Sequence, residues 1–319
     1  MIQLPTLVRK ILLEQSDETH LLSMPEIRAE LENFGITADR RSVYKAISVL
    51  NENGEDIRYR TLDGKQGYWI RHPFTKAEAL FLIDSIQSSF SLSAETSRAF
   101  SDRILSMLST EQQKELPPTA LAVSKTDSSN VLSLMETLLE AASGRHPVEF
   151  RYYDLSVTRK KQYRRQNKTY RMVPYAIVSR GNRWYCVFYS ENHGSFANYR
   201  IDKMELSKVL DEQCDPVRFS LADHIRSSFN MYHGEPQTVT VDFDLSLASI
   251  VFDEFGKDII ISNVSDSRFT ASIRTAITPT LTSWLLQFYD RMEVRRPDEL
   301  RDQMKKIAES LYHTYSKED

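Results

Sequence analysis

Two cysteines in 319 residues, Cys186 and Cys214, are too few for a disulfide framework or a zinc site. Long apolar runs are missing too. Stretches such as ALFLI at 79–83 fall far below the ~20 residues that a membrane-spanning helix needs. The opening MIQLPTLVRKILLEQ mixes charge into its apolar positions and has no signal-peptide cleavage site. No His/Cys set has metal spacing, no Gly-x-Ser-x-Gly elbow occurs, and GKQG at 64–67 lacks the rest of a phosphate-binding loop. The seven histidines are scattered along the chain. The expectation is a non-enzymatic cytoplasmic protein without metal, cofactor or membrane partner.

What is present is a globular composition, 41% hydrophobic and 27% charged, in a chain long enough for two or three domains. The net charge of −3 hides an asymmetry. Residues 1–72 hold 10 Lys/Arg against 11 Asp/Glu, residues 144–210 hold 14 against 5, and residues 211–319 hold 12 against 19. A basic block inside an acidic chain points to an anionic ligand. The plainer alternative is a solvated basic face that pairs with the acidic C-terminal third.

Leu4, Leu7, Val8, Ile11 and Leu12 predict a helix over about 4–15. Ser23-Met24-Pro25-Glu26 reads as a capping box opening a second helix that stops at Gly35. A third is expected from Thr37, with Val43, Ile47 and Leu50 inward and Arg40, Arg41, Ser42, Tyr44, Lys45 and Ser48 outward. IRYR (57–60) and GYWI (67–70) read as strands joined across Asp63-Gly64. Three short helices and a hairpin are the plan of a winged helix-turn-helix. Arg40, Arg41, Ser42, Tyr44 and Lys45 would then meet a major groove, and Arg58, Arg60 and Lys65 the flanking phosphates. The rival use of the same helix is a charged dimer surface.

Residues 75–110 read as one or two helices, 111–130 as an exposed connection with Pro117-Pro118, and 131–142 as a helix ending at Gly144. Beyond 146 the pattern turns to strands, with a hairpin at Arg180-Gly181-Asn182 and a small bent sheet burying Val148, Phe150, Val173, Ile177, Val187 and Ile201. Tyrosines and arginines interleave in RYYD, QYRR, TYR and NYR, which suits stacking beside phosphate binding. RKKQYRRQNKTYR at 159–171 is either a clamp for an effector or a solvated loop.

The order VEFRYY, MVPYAIV, RGNRWYCVFYS, NYRIDKM resembles the WYL domain of a broad family of bacterial transcriptional regulators. The resemblance extends to the N-terminal RRSVYKAISVL and to TVTVDFDL (238–245) and WLLQFYDRMEVRRPDELRDQM (284–304). It implies an α+β multidomain chain: winged helix-turn-helix (1–72), helical linker (73–143), WYL domain with an Sm-like or SH3-like barrel (144–212), and a C-terminal α/β extension (213–319). It also implies effector sensing, best supported for single-stranded nucleic acid. A small nucleotide-like ligand and an RNA- or single-strand-binding accessory factor remain the alternatives. The effector candidates are Arg151, Tyr152, Tyr175, Arg183, Tyr185, Arg200 and Lys203, with Pro174 and Trp184 structural and Asp202 orienting Arg200.

This chain departs from the family pattern at four places. The naming triplet reads Trp184-Tyr185-Cys186, Lys203 stands where arginine is usual, Tyr289 where glycine is usual, and Lys45-Ala46 where Arg-Asp is common. The lysine weakens any bidentate anion contact at 203. A homodimer on a duplex operator is expected. Its surfaces would be the linker helices and the C-terminal extension, where Trp284, Leu285, Phe288, Leu300, Met304 and Ile307 form either a helical seam or that domain's core.

Overall fold

Leu7, Val8, Ile11 and Leu12 share one side of α1 (Leu4–Gln15), and that side is buried. α2 (Met24–Asn33) opens on a complete capping box, in which the Ser23 hydroxyl takes the Glu26 N–H and the Glu26 carboxylate takes the Ser23 N–H. α3 (Arg40–Glu52) is capped by Asp39, whose carboxylate accepts the Ser42 N–H at 2.7 Å. The cap moves the start expected at Thr37 to residue 40. The hairpin strands β1 (Ile57–Leu62) and β2 (Lys65–Ile70) close over the core of Leu12, Ile27, Leu31, Val43, Ile47 and Ile70. Asp63 and Gly64 both adopt positive φ, 48° and 80°, as a tight two-residue hairpin turn requires. Gly67 has a different reason to be glycine. The Leu22 backbone pairs with Tyr68, and a Cβ on Gly67 would stand 2.8 Å from the Leu22 carbonyl.

The computed structural model describes residues 3–118, 125, 130–227, 231 and 235–316. The chain divides into two compact units, Met1–Ser129 and Asn130–Asp319. The first unit adds α4 (Lys76–Ser88), α5 (Ala94–Leu105) and α6 (Thr110–Glu115). Thus α6 occupies the start of the expected connection, most of whose remainder (119–124, 126–129) lies outside the described residues. A buried polar cluster ties these helices to α1. Ser109 donates to Asp17 at 2.5 Å, and the two His72 ring nitrogens face the carbonyls of Met107 and Ser16 at 2.9 and 2.8 Å.

In the second unit α7 (Val131–Gly144) sends Val131, Leu134, Leu138 and Ala141 into the core of a curled sheet, so the expected linker does not form one body. A Cβ on Gly144 would sit 2.3 Å from the His146 ring, and the left-handed residue that ends the helix is Arg145 at φ 54°. The strands are β3 (Val148–Leu155), β4 (Lys161–Tyr163), β5 (Tyr170–Arg180), β6 (Arg183–Ser190), β7 (Ser195–Arg200) and β8 (Met204–Val209). β3 pairs with β4, β5 and β8, and β5, β6 and β7 follow as antiparallel neighbours. A one-turn 3-10 segment, Ile201–Lys203, leads from β7 into β8 and back onto β3. Phe150 stacks with Tyr170 and Phe188 inside the curl, and Tyr199 meets all three edge-on. Of the expected core residues, Ile177 is only half-buried, and Val187 is buried on the opposite face of the sheet.

Past α8 (Leu221–Ser227) come β9 (Pro236–Asp244), α9 (Ala248–Phe255), β10 (Ile260–Ser262), β11 (Arg268–Ala276), α10 (Pro279–Leu286), β12 (Met292–Arg296) and α11 (Asp298–Tyr315). The strands form one antiparallel sheet in the order β10-β11-β9-β12. Val241, Phe243, Leu281, Leu285, Phe288 and Leu300 make its core, and Trp284 and Met304 pack against it. The six-residue seam is therefore mostly this domain's own interior. Tyr289 holds φ 52°, a left-handed backbone that glycine adopts most readily, which fits the glycine that the resemblance leads one to expect there.

Candidate nucleic-acid interface

On α3 the helical period puts Val43, Ala46, Ile47 and Leu50 inside and leaves Arg40, Arg41, Tyr44, Lys45 and Ser48 exposed, with Ser42 half-buried. Arg40 Nε donates to Tyr44 Oη at 2.8 Å and its guanidinium lies 5.3 Å from that ring. The Tyr44 ring meets Tyr68 edge-on at 6.2 Å, and Tyr68 meets Tyr59 at 4.9 Å. Three rings thus join the outer face of the helix to the hairpin. Burial, helped by Tyr44 and Tyr59, pushes the Tyr68 phenol up to about 12, so it stays a neutral donor. Tyr59 and Tyr68 escaped the sequence reading because their only signal was ordinary strand alternation.

The exposed cations here differ in their partners. Among the described residues, neither Arg41 nor Lys45 meets a carboxylate. Arg58 donates from Nε and Nη2 to Asp56, both at 2.8 Å, and Lys65 reaches Glu26 at 2.8 Å. Arg58 and Arg60, two residues apart on β1, both lie over the Trp69 ring, at 5.7 and 5.6 Å. For Arg58 and Lys65 a phosphate would have to replace a partner already in place.

In the middle sheet the cations converge on three carboxylates. Glu205 accepts from Arg151 at 2.8 Å, Lys161 at 2.5 Å and Tyr163 at 2.8 Å. Asp154 takes Arg164 at 2.7 Å and Lys203 at 3.0 Å, and Asp202 takes both donors of Arg200 at 3.0 and 2.6 Å. Each of four cations also lies over a tyrosine: Arg151 on Tyr163, Lys161 on Tyr153, Arg164 on Tyr152 and Arg165 on Tyr170. Burial alone would raise the Glu205 carboxyl, but the hydrogen bonds of Lys161 and Tyr163 outweigh it and hold the group below its usual range.

The seven effector candidates do not form one site. Arg151 and Lys203 belong to the network on β3, β4 and β8, which also recruits Lys161, Tyr163 and Arg164 from the basic run. That run is therefore not a free loop. Tyr185 and Arg200 are cross-strand neighbours on β6 and β7. Arg183 stands at the start of β6 opposite Arg180. Tyr152 needs correction: it is a core residue, 6% exposed, edge-on to Tyr199, with its phenol pushed up to about 12 by burial. Tyr175 offers no open ring either. Its hydroxyl accepts the Val217 N–H at 3.0 Å, and Phe196 and Phe219 flank it at 5.1 and 5.5 Å. The segment carrying Phe219, Leu221 and Ile225 covers that face, and Tyr185 packs in the same cluster. Glu205 and Asp154 were missed because two acids in a basic block look like noise until the curl brings the cations around them.

Among the described residues no group of three or more His, Cys, Asp and Glu could hold a metal ion, and no helix is long and apolar enough to cross a membrane. Residues 133–209 match the WYL domain model and residues 235–312 the WCX domain model. No curated protein matches the chain. Among solved structures it is similar to proteasome accessory factor B/C (PafBC) of Arthrobacter aurescens, at 14% identity and TM-score 0.30, over 98% of this chain and 49% of that one. It is also similar to a CRISPR Cas-related protein, at 11% identity and TM-score 0.39, over 90% of this chain and 76% of that one. The chain spans about half the length of the first of these.

Proposed function

We propose, from the premise that this chain carries a WYL domain followed by a WCX domain, that it regulates transcription by binding duplex DNA while its middle domain takes up an anionic effector. In this reading α1–α3 and the hairpin are a winged helix-turn-helix, and the curled sheet is an Sm-like barrel. The observation that carries it is the outer face of α3. Among the described residues Arg41 and Lys45 meet no acidic partner there, beside an Arg40–Tyr44 pair already ordered by a hydrogen bond. Such a face presents donors to phosphates and base edges without first breaking ion pairs. The hairpin, joined to it through Tyr68, would follow the adjacent backbone. Two copies on a two-fold site would double the contacts of one short module.

For the effector, the half-buried rings beside cations, Tyr163 with Arg151 and Tyr153 with Lys161, suit single-stranded nucleic acid, whose bases stack while its phosphates pair. A compact nucleotide-like ligand is favoured by a different observation, the convergence of the cations on Glu205 and Asp154 rather than along an open groove. Selection of bound duplexes from a random pool, with the full chain, tests the DNA assignment. The expected product is a pseudo-palindromic site whose affinity changes when a short single strand is added. Retention of single strands with no enriched duplex would overturn operator binding and leave the accessory-factor reading.

A further inference from the structure

The last helix is longer than the surface it covers. Along α11, Leu300 is buried and Met304 and Ile307 are partly covered, yet every residue from Ala308 to Ser316 is exposed. The overhang carries Leu311, Tyr312 and Tyr315, at 48%, 70% and 84% exposure. Two exposed helical turns gain little from propensity alone. Scattered single apolar residues need no explanation, but three on one short overhang do.

The other half of the helix borders a pocket of about 260 Å³, walled by Leu286, Tyr289, Met292, Val294, Met304 and Ala308, with Glu293, Lys305 and Arg301 beside it, Arg301 lying 3.5 Å from the Glu293 carboxylate. Its volume is below the ~300–1,000 Å³ of small-molecule sites. It suits a side chain. Tyr289 contributes to the wall from a left-handed backbone that an aromatic residue rarely adopts.

We propose that α11 pairs antiparallel with α11 of a second copy of this chain about a two-fold axis at Ala308. The helical period puts residues 301, 304, 305, 308, 311, 312 and 315 on one broad face. Reversed about Ala308, Arg301 meets Tyr315, Met304 meets Tyr312, and the Lys305 stem meets Leu311. Each contact occurs twice, as an isologous interface requires. The chemistry matches at every position: guanidinium on an electron-rich ring, thioether on a ring, and aliphatic stem on leucine. No like charges face each other, and alanine at the crossing lets the helices approach closely. Tyr312 of one copy then fills the pocket beside Met304 of the other.

This pairing rests on the homodimer reading and gives it a surface. The test uses the full chain in sedimentation velocity across a concentration series. Ala308→Glu is exposed in a single copy and leaves the fold intact, but brings two carboxylates together at the axis. Dimer affinity should fall by roughly a hundredfold with an unchanged melting transition. Ala308→Cys should give a covalent dimer on oxidation that the wild-type chain does not form. A dimer that survives Ala308→Glu and does not cross-link through Ala308→Cys overturns the helix pairing and leaves the homodimer reading standing. A wild-type monomer throughout the series overturns both.

Discussion

The outer face of α3 and the acid-centred cluster of the middle sheet differ in what their cations already hold. The first 72 residues are balanced, yet among the described residues Arg41 and Lys45 on α3 meet no acidic partner. The middle block has a surplus of nine, yet Arg151, Lys161, Arg164, Arg200 and Lys203 are all held by Glu205, Asp154 and Asp202. Net charge measures long-range attraction to an anion. Local pairing decides what an arriving phosphate must displace. The outer face of α3 and the cluster around Glu205, Asp154 and Asp202 differ in the second quantity, and on that ground α3 is a readier contact surface than that cluster.

The sharpest test of the contrast is at α3. Arg41→Ala with Lys45→Ala should weaken duplex binding by about 2–6 kcal/mol in fluorescence anisotropy, each contact being worth ~1–3 kcal/mol. The melting temperature should not move, because both side chains are exposed. Unchanged affinity would remove α3 from the interface.

A buried carboxylate gives the next effect. Burial would raise the Asp17 carboxyl, but hydrogen bonds from Ser109, Thr19 and His20 outweigh it and hold the group at about 2, below its ordinary 3.8. A depressed carboxylate stabilises the fold above its unfolded pKa and loses that contribution as pH falls through the folded one. Asp17→Asn should therefore cost about 2 kcal/mol in urea denaturation at neutral pH, at ~1.4 kcal/mol per pH unit. The gap to wild type should narrow as pH falls from 3.8 toward 2. A gap independent of pH would mean that the carboxylate charge is not what holds α6 to α1.

The smallest effect bears directly on the paired cations. Glu205→Gln releases Arg151 and Lys161 from a carboxylate. A short single strand should then bind a few-fold more tightly and with a steeper salt dependence, since about two more cations are available to phosphates. Loss of stability should stay within about 1 kcal/mol, as for other partly exposed ion pairs. Weaker binding would show instead that Glu205 orients those cations for the effector.

Much of the fold is legible in local pattern. The apolar period of α1–α3, the Ser23–Glu26 box and Asp63-Gly64 carry their own instructions, because caps and tight turns are satisfied by neighbours in sequence. The outward face of α3 follows from the same period. Legibility falls where a distant element intervenes. The Gly67 requirement comes from the Leu22 backbone, 45 residues earlier, and the Gly144 requirement from the His146 ring. Alternation on β3 puts Tyr152 on the face of Val148 and Phe150, both expected to be buried, so its place in the core is legible; the interleaved Tyr/Arg pattern draws it into the effector set instead.

The sequence by itself determined α1–α3, the hairpin, the alternation of the middle strands and the outward cations of α3, because each depends on periodicity and capping within about one element. Tertiary structure decided which cations of the middle block are already paired and which tyrosine rings are already covered. Arg151 and Glu205 are 54 residues apart, and Tyr175 and Phe219 are 44 apart. A strand's period says which way a side chain points. Only the packed chain says what is waiting there.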